Sequence, residues 1–368
     1  MLFGSKTRSY LGVDIGKSSI KVVELANEKG NPLLVTYGFS EQTIDLVKSD
    51  SKEDEEKMVY LLTEICKKAQ VTTTKAITAL PTFAVISSIM SLPSMPKKDL
   101  AMAIRWQAKK IIPLPIEEMV LDWKILSTTE IKKGAKEKET PLSSPFIKGE
   151  EKEGKEEMKI LLTGAAKNLV AKYVEIFKKA NLDLLGLETE AFALIRTLIG
   201  GDKSVIMLVN IGAATTDISV IDEGIPFLNR SIDVGGLTIT RAVSNSLNVN
   251  LSHAEQFKYD IGVVLGEGKK GEIPQTIENA ISPIVNELKY CINLYQGQSG
   301  KTVEKVILGG GSALLLNLVS YLSQILNIKV YIGDPWARII YPEDLKPVLT
   351  KIAPRFAVAV GLAMRDII

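Results

Sequence analysis

The feature that most restricts what this chain can fold into is a unit that occurs twice. In the first half, a strand-like run from Leu11 to Leu25 is broken by the turn Asp14-Ile15-Gly16-Lys17-Ser18-Ser19. In the second half, strand-like Lys203 to Asn210 and Asp217 to Ile221 flank the turn Ile211-Gly212-Ala213-Ala214-Thr215-Thr216. Glycine and small residues between apolar, β-branched runs mark a tight hairpin. The same hairpin in both halves predicts a duplicated α/β fold, two lobes with a cleft between them. The length of 368 residues fits, being too great for one ordinary core.

Between the repeats the pattern changes. Tyr10 to Val13, Ile20 to Leu25 and Leu33 to Phe39 read as strands. Met58, Leu61, Leu62, Ile65, Cys66 and Ala69 recur at helical spacing, and Lys75 to Leu80 reads as a buried strand. Residues 83–180 then form a separate α+β pattern. It has strands at Ala84 to Leu92, Glu118 to Leu126 and Met158 to Ala165, and helices at Lys97 to Ile111 and Leu169 to Lys179. Leu100, Ile104, Ala108 and Ile111 share one face of the first of those helices. The first lobe is accordingly expected over 9–82, with 181–202 and 345–368 returning to it. The second lobe is expected over 203–344, with a helical subdomain at about 231–290. About half of Thr128 to Glu157 is charged, with both signs mixed and two prolines, which predicts a solvated, disordered loop.

Composition excludes several classes of function. A net charge of +2 provides no basic field for nucleic acid. The single histidine, His253, rules out a Ser-His-Asp arrangement, and no His/Cys cluster has zinc spacing; His253 is expected on the surface at a helix start. Cys66 and Cys291 sit in apolar helical patterns and read as two thiols of a reducing cytosol, not as a disulfide. No signal peptide and no run of about 18 uninterrupted apolar residues is visible, so membrane contact is expected through a partner and not by insertion.

A tight Gly-containing hairpin turns several backbone N–H groups toward one point, where an anion fits. Two such turns across a cleft can hold a polyphosphate from both sides. Gly16-Lys17-Ser18 imitates the end of a P-loop, but no glycine lies five residues before Gly16 and a strand follows, so a P-loop is rejected. Further on, Val306-Ile307-Leu308 runs into Gly309-Gly310-Gly311-Ser312, where glycines let a purine lie close to backbone. Upstream of it, Ser252 to Lys258 begins a helix.

Taken in order, Asp14-x-Gly16, Asn210-x-Gly212 with Thr215, Ala254-Glu255-x-x-Lys258 and Gly309-Gly310-Gly311 resemble the nucleotide motifs of the actin superfamily, whose fold is a duplicated ribonuclease H-like pair of lobes. They are most similar to the FtsA branch, whose entry into the second lobe resembles Val234-Gly235-Gly236 followed by Thr238 and Thr240. The inserted module sits where FtsA and PilM carry their extra subdomain. Gln107 to Leu114 and the ending Phe356 to Ala363 resemble the PilM family of type IV pilus assembly machines. The resemblance spans nearly the whole chain apart from Thr128 to Glu157.

The resemblance implies ATP and Mg2+ as ligands. It places Gly16, Lys17, Ser18, Ser19, Gly212, Ala213, Ala214, Thr215, Gly235, Gly236 and Ser312 around the nucleotide with the residues above. Asp14 would orient magnesium-bound water, or else cap its hairpin as an Asx turn. Lys21 would reach a phosphate, or stand as a solvated strand lysine. Glu255 and Lys258 would hold ribose and base, although Ser252-x-x-Glu255 is also a capping box. Glu188 matches the residue that positions attacking water, or is an acid at a helix start. Two departures imply slow or absent turnover. Asn210 stands where most relatives have an aspartate, and an amide supplies no charge to magnesium. Ala213 and Ala214 stand where relatives often have glycine.

As a PilM-like adaptor the chain would bind the N-terminal cytoplasmic peptide of PilN, and through it the PilN/PilO inner-membrane complex. The resemblance puts that peptide in a groove lined from roughly Thr82 to Leu92 and by Lys97 to Ile111, and it leaves room for self-association. The alternative is an FtsA-like division filament protein. Such proteins usually end in an amphipathic membrane helix, whereas Gly361 to Ile368 reads as still inside the fold. A sugar kinase would need an aspartate base beside a sugar pocket, and a chaperone a separate peptide-binding β domain; neither is visible.

Overall fold

The computed structural model describes residues 8–130, 156–264 and 271–368. In chain order the elements are β1 (Ser9–Ile15), β2 (Ile20–Glu28), β3 (Asn31–Ser40), α1 (Lys52–Lys68) and β4 (Lys75–Leu80). Next come β5 (Val85–Pro93), α2 (Lys97–Ile111), β6 (Met119–Glu130) and β7 (Glu156–Ala166). They are followed by α3 (Lys167–Lys179), β8 (Asp183–Thr189) and α4 (Glu190–Leu194), which widens into a π-helical turn over Ile195–Ile199. The second half holds β9 (Ile206–Ile211), β10 (Thr216–Asp222), β11 (Ile225–Ile232), α5 (Gly236–Leu247), α6 (Leu251–Ile261) and α7 (Glu272–Ser299). It closes with β12 (Lys305–Gly309), α8 (Leu318–Leu326), β13 (Lys329–Ile332) and α9 (Lys346–Met364).

The chain forms two compact units, one of residues 1–85 with 168–368 and one of residues 86–167. The first unit contains two five-stranded sheets, ordered β3-β2-β1-β4-β8 and β11-β10-β9-β12-β13. In each, a three-stranded antiparallel meander is extended by two parallel strands. The expected duplication is therefore present strand for strand.

Strands covered on both faces read as continuous apolar runs. In β9, Ile206 and Leu208 enter the core shared with the first sheet, while Met207, Val209 and Ile211 enter the core under α5, α7 and α8. The shared core is organised on α9, which lies against β1, β2, β4 and α4. Its approach to β1 is set at Gly12, where a Cβ would stand 2.0 Å from the Ala359 carbonyl oxygen. By length and composition Glu343–Met364 is apolar enough to cross a membrane, yet 67% of its most apolar window is buried inside the protein. It is the central core helix of this unit.

The second unit is a three-stranded sheet, β5-β7-β6, packed on α2 through Met90, Leu100, Ile104, Ala108, Ile160 and Leu162. It is narrower than the 83–180 read from sequence, because α3 from Asn168 onward belongs to the first unit, where Leu169, Tyr173, Ile176 and Phe177 are buried. The expected charged loop also shortens, since β6 runs to Glu130 and β7 begins at Glu156. Most of that loop, and with it the expectation of disorder, lies outside the described residues. Both cysteines are free thiols, and His253 is exposed in the first turn of α6.

Candidate functional site

The two repeated turns have the same internal geometry. The Gly16 amide donates to the Ser19 carbonyl at 3.0 Å, and the Gly212 amide to the Thr215 carbonyl at 2.9 Å. Both turns line one cleft of about 460 Å³, together with residues from α5, α6, α9 and the segment after β12. That volume suits a drug- or nucleotide-sized ligand. The cleft lies wholly within the first unit.

Most of the site residues expected from sequence converge here. Asp14, Gly16, Lys17, Ser18, Ser19, Lys21, Asn210, Gly212, Ala213, Ala214, Thr215, Gly236, Glu255, Lys258, Gly311 and Ser312 all line the cleft. Gly235, Gly309 and Gly310 stand behind it and shape its wall. A Cβ on Gly235 would meet the Ala213 carbonyl at 2.7 Å, where the second turn is sewn to α5 by Gly236 N–H to Gly212 O and Leu237 N–H to Ala213 O. Gly310 has φ +81°, and its amide donates to the Pro354 carbonyl of α9 at 2.9 Å. The left-handed φ is what glycine accepts and a side chain resists.

One end of the cleft is already paired. Lys258 is 1% exposed, and its ammonium donates to both Glu255 carboxylate oxygens at 2.8 Å and to Thr240 Oγ1 at 3.1 Å. The Thr240 hydroxyl donates in turn to Glu255. Burial holds the Lys258 ammonium below its ordinary pKa, with Glu255 offsetting part of that push. The capping-box alternative for Glu255 fails: Asn250 caps α6 by accepting from the His253 amide, and Glu255 turns instead to Lys258 and Thr240. Tyr259 donates to the Gly311 carbonyl at 3.3 Å and closes the same end.

The other end concentrates charge. Asp14 pairs with Lys21 at 3.0 Å, so Lys21 is tied down and not solvated. Lys17 meets Asp233 at 3.2 Å and lies over the Phe83 ring. Three acids absent from the sequence expectations also line the cleft, Glu41, Glu190 and Asp217. Enclosure by the protein pushes the Glu190 carboxyl well above its usual range, with Asp217 and Asp14 adding to it and Lys21 opposing. Asp217 is 8% exposed; burial raises its carboxyl to about 6, hydrogen bonds from Ser231 and Thr82 and the charge of Lys17 lower it, and Asp14 raises it.

Glu188 is not part of the cleft lining. Arg196 holds its carboxylate through Nη1 at 3.0 Å and Nη2 at 2.9 Å, and Arg365 Nε approaches at 3.4 Å. The strand β8 continues through Thr189, so the acid that opens α4 and faces the cleft is Glu190. Glu188 is therefore committed to two arginines and does not face the cleft, where the resemblance would have it position water.

Among the described residues, no three acidic, His or Cys side chains converge closely enough to cage a metal by themselves. A hard cation that keeps most of its waters and shares phosphate oxygens still fits the carboxylates at this end. The donor chemistry, with Asp14, Glu190 and Asp217 on one cleft, is the observation in favour of that fit.

Comparison with known proteins agrees with the geometry. The chain resembles a solved PilM–PilN type IV pilus biogenesis complex at 26% identity, covering 98% of each chain with a TM-score of 0.79. MreB5 of Spiroplasma citri bound to ADP shares the fold at 14% identity, with 97% and 95% coverage and a TM-score of 0.55. Cell division protein FtsA of Neisseria meningitidis serogroup B is 26% identical over 178 residues, which is 43% of this chain and 41% of FtsA's own length. The model of the type IV pilus assembly protein PilM family matches residues 12–140 and 146–367. With the duplicated actin-like sheets and the converging turns, that match settles the relationship: the chain belongs to the PilM family of type IV pilus assembly proteins.

Proposed function

We propose that this protein is an ATP-binding adaptor of type IV pilus assembly that binds the N-terminal cytoplasmic peptide of PilN. Through that peptide it joins the PilN/PilO complex, working in the cytoplasm at the inner membrane. The observation that carries this reading is the similarity, over 98% of both chains, to the PilM of a PilM–PilN complex. ATP with Mg2+ is assigned to the cleft, its phosphates between the turns at Gly16 and Gly212 and its base toward Glu255, Lys258 and Tyr259. Mg2+, when bound, supplies charge neutralisation of the phosphates; Asp14 orients its waters. Turnover is slow or absent, because Asn210 brings no charge and Glu188 is held by arginines.

The second unit offers an apolar surface for an extended peptide. On α2, Met102 and Trp106 are one turn apart and 75% and 62% exposed. Exposed side chains of that size on one helix face are a common docking feature. The FtsA-like filament reading is the weaker one, since that similarity spans less than half of either protein. Calorimetric titration of the PilN N-terminal peptide, with and without ATP, tests the assignment. Saturable one-to-one binding is expected; no binding in either state would remove the adaptor function. Asp14→Ala is expected to weaken ATP binding with the fold retained by circular dichroism.

A further inference from the structure

The second unit presents a long strand at the edge of its sheet. In the order β5-β7-β6 the outer strand is β6, and among the described residues its strand neighbour is β7 alone. It runs for 12 residues, which is long for an edge. Its pairing with β7 is regular from Met119 to Ile125 and shifts between Ile125 and Ser127. The Asp122 carbonyl accepts from Thr163 Oγ1 of β7 at 3.3 Å, so the next amide along, that of Trp123, points outward. It donates to the adjacent Asp122 carboxylate at 2.9 Å. Trp123 and Ile125 are exposed on the same stretch. Outward amides and carbonyls flanked by apolar side chains make a template for another strand.

The residues of this edge have the same chemical order in both directions. Leu121-Asp122-Trp123-Lys124-Ile125 reads apolar, acid, tryptophan, base, apolar. An antiparallel pair of β6 strands, related by a two-fold axis through Trp123, sets 121 opposite 125, 122 opposite 124 and 123 opposite itself. Successive side chains alternate between the faces of the sheet. Trp123 and Ile125 lie beside Leu162 and Ile160, on the α2 face, where the pairs are Leu121 with Ile125 and Trp123 with Trp123. On the other face both pairs are Asp122 with Lys124, and both of these side chains are exposed. Charge on an edge strand ordinarily discourages pairing. Here the two-fold axis places opposite signs together twice, which favours it. A slip of one residue would set each charge against an apolar side chain, so the register is specified.

We propose that β6 is a self-association edge, on which a second copy of this chain docks antiparallel through Leu121 to Ile125 and joins two three-stranded sheets into one. In the pair, the Trp123 amide exchanges the Asp122 carboxylate for the Trp123 carbonyl of the second copy, and Asp122 is released to the second copy's Lys124. Five residues from each chain bury less area than a permanent dimer needs, so association depends on concentration, with a Kd on the order of 10 μM. The contact uses no residue assigned to ATP or to the PilN peptide.

The test is sedimentation velocity of the full chain at concentrations on either side of that value. Wild type is expected to pass from monomer to dimer. Asp122→Lys and Lys124→Asp each set like charges opposite one another twice, and each is expected to weaken dimerisation by about tenfold or more. Mixed in equal amounts, the two variants restore opposite charges at both pairs, and the mixture is expected to regain wild-type dimerisation, as is the double exchange. Trp123→Cys, on the axis, is expected to give a disulfide-linked dimer under mild oxidation. Val120→Cys, about 20 Å from its copy in this register, is not. All four substituted side chains are exposed, and circular dichroism verifies that each variant folds. A wild type that stays monomeric throughout overturns the proposal. So does a dimer that survives both charge reversals, or a mixture that fails to regain it, since either result puts the contact on another surface.

Discussion

Replacing Asp217 with asparagine should make the ligand-free protein more stable, and only above a certain pH. Burial, chiefly, holds this carboxyl at about 6 instead of its ordinary 3.8. A shift of that size disfavours the charged form in the folded protein by about 3 kcal/mol. Because the folded pKa of an acid is raised, the effect is a penalty. Below pH 3.8 the group is protonated in both states and costs nothing. Between 3.8 and about 6 the unfolded chain ionises first, so stability falls as pH rises, and above 6 the whole penalty is present. Asparagine keeps the shape and removes the charge, at the cost of burying an amide in its place. A net gain of about 1–3 kcal/mol at pH 7.5 follows, shrinking toward zero near pH 4. Calorimetric melting at both pH values measures it as a rise of roughly 1–4 °C at pH 7.5 only. An equal difference at both pH values, or a variant less stable than wild type at pH 7.5, would refute the reasoning.

Three other expectations follow from particular contacts. Gly12→Ala places a Cβ 2.0 Å from the Ala359 carbonyl oxygen, so α9 must shift, and a loss of about 3 kcal/mol is expected in urea unfolding. Burial raises Cys66 to about 11 and Cys291 to about 12, with Glu24 and Glu287 adding to the two shifts. Neither thiol should therefore react with a maleimide at pH 8 until urea unfolds the chain, and labelling at the native rate of a free peptide thiol would contradict it. On α2, Met102→Ala with Trp106→Ala should weaken PilN-peptide binding about tenfold or more with melting temperature unchanged, because both side chains are exposed and Trp106 is held by Lys110 at 3.5 Å from its ring centre. Unchanged affinity would take α2 out of the peptide site.

The duplication was legible because a turn and its flanking strands are local, and apolar runs bounded by glycine have few other uses. The helix face of Leu100, Ile104 and Ala108 was legible for the same reason, as a period of three and four that the buried side of α2 reproduces. Glu188 was misplaced because nothing local says where β8 stops. Two acids two residues apart precede an alanine-rich run, and the helix begins at the second of them. Glu255 could not be resolved from sequence, since Ser252 and Glu255 have capping-box spacing; the choice was made by Asn250 and by Lys258 one turn further on. Asp217 did leave a signal. Counting outward from the turn, the residue opposite Asn210 is an acid inside an otherwise apolar strand, just as the residue opposite Asp14 is a lysine.

The two ends of the cleft are prepared differently, and the difference bears on what the protein can sense. Glu255, Thr240 and Lys258 form a closed network without any ligand, so the end assigned to ribose and base is organised in advance and little free energy is spent ordering it. The end between the turns is the reverse: burial raises the Asp217 carboxyl and pushes the Glu190 carboxyl well up, against the partial relief that Lys17 and Lys21 give. Phosphates alone add negative charge there, and phosphates with a divalent cation remove the conflict. The benefit of Mg2+ should therefore grow with the number of phosphates. In calorimetry the ratio of affinities with Mg2+ and with EDTA should lie near one for adenosine and AMP, rise for ADP, and exceed about tenfold for ATP. A ratio that is the same for AMP and ATP would mean that the cation does not meet these carboxylates. A graded ratio makes the charged end of the cleft the part that distinguishes one nucleotide state from another, while the paired end holds the nucleoside common to all of them.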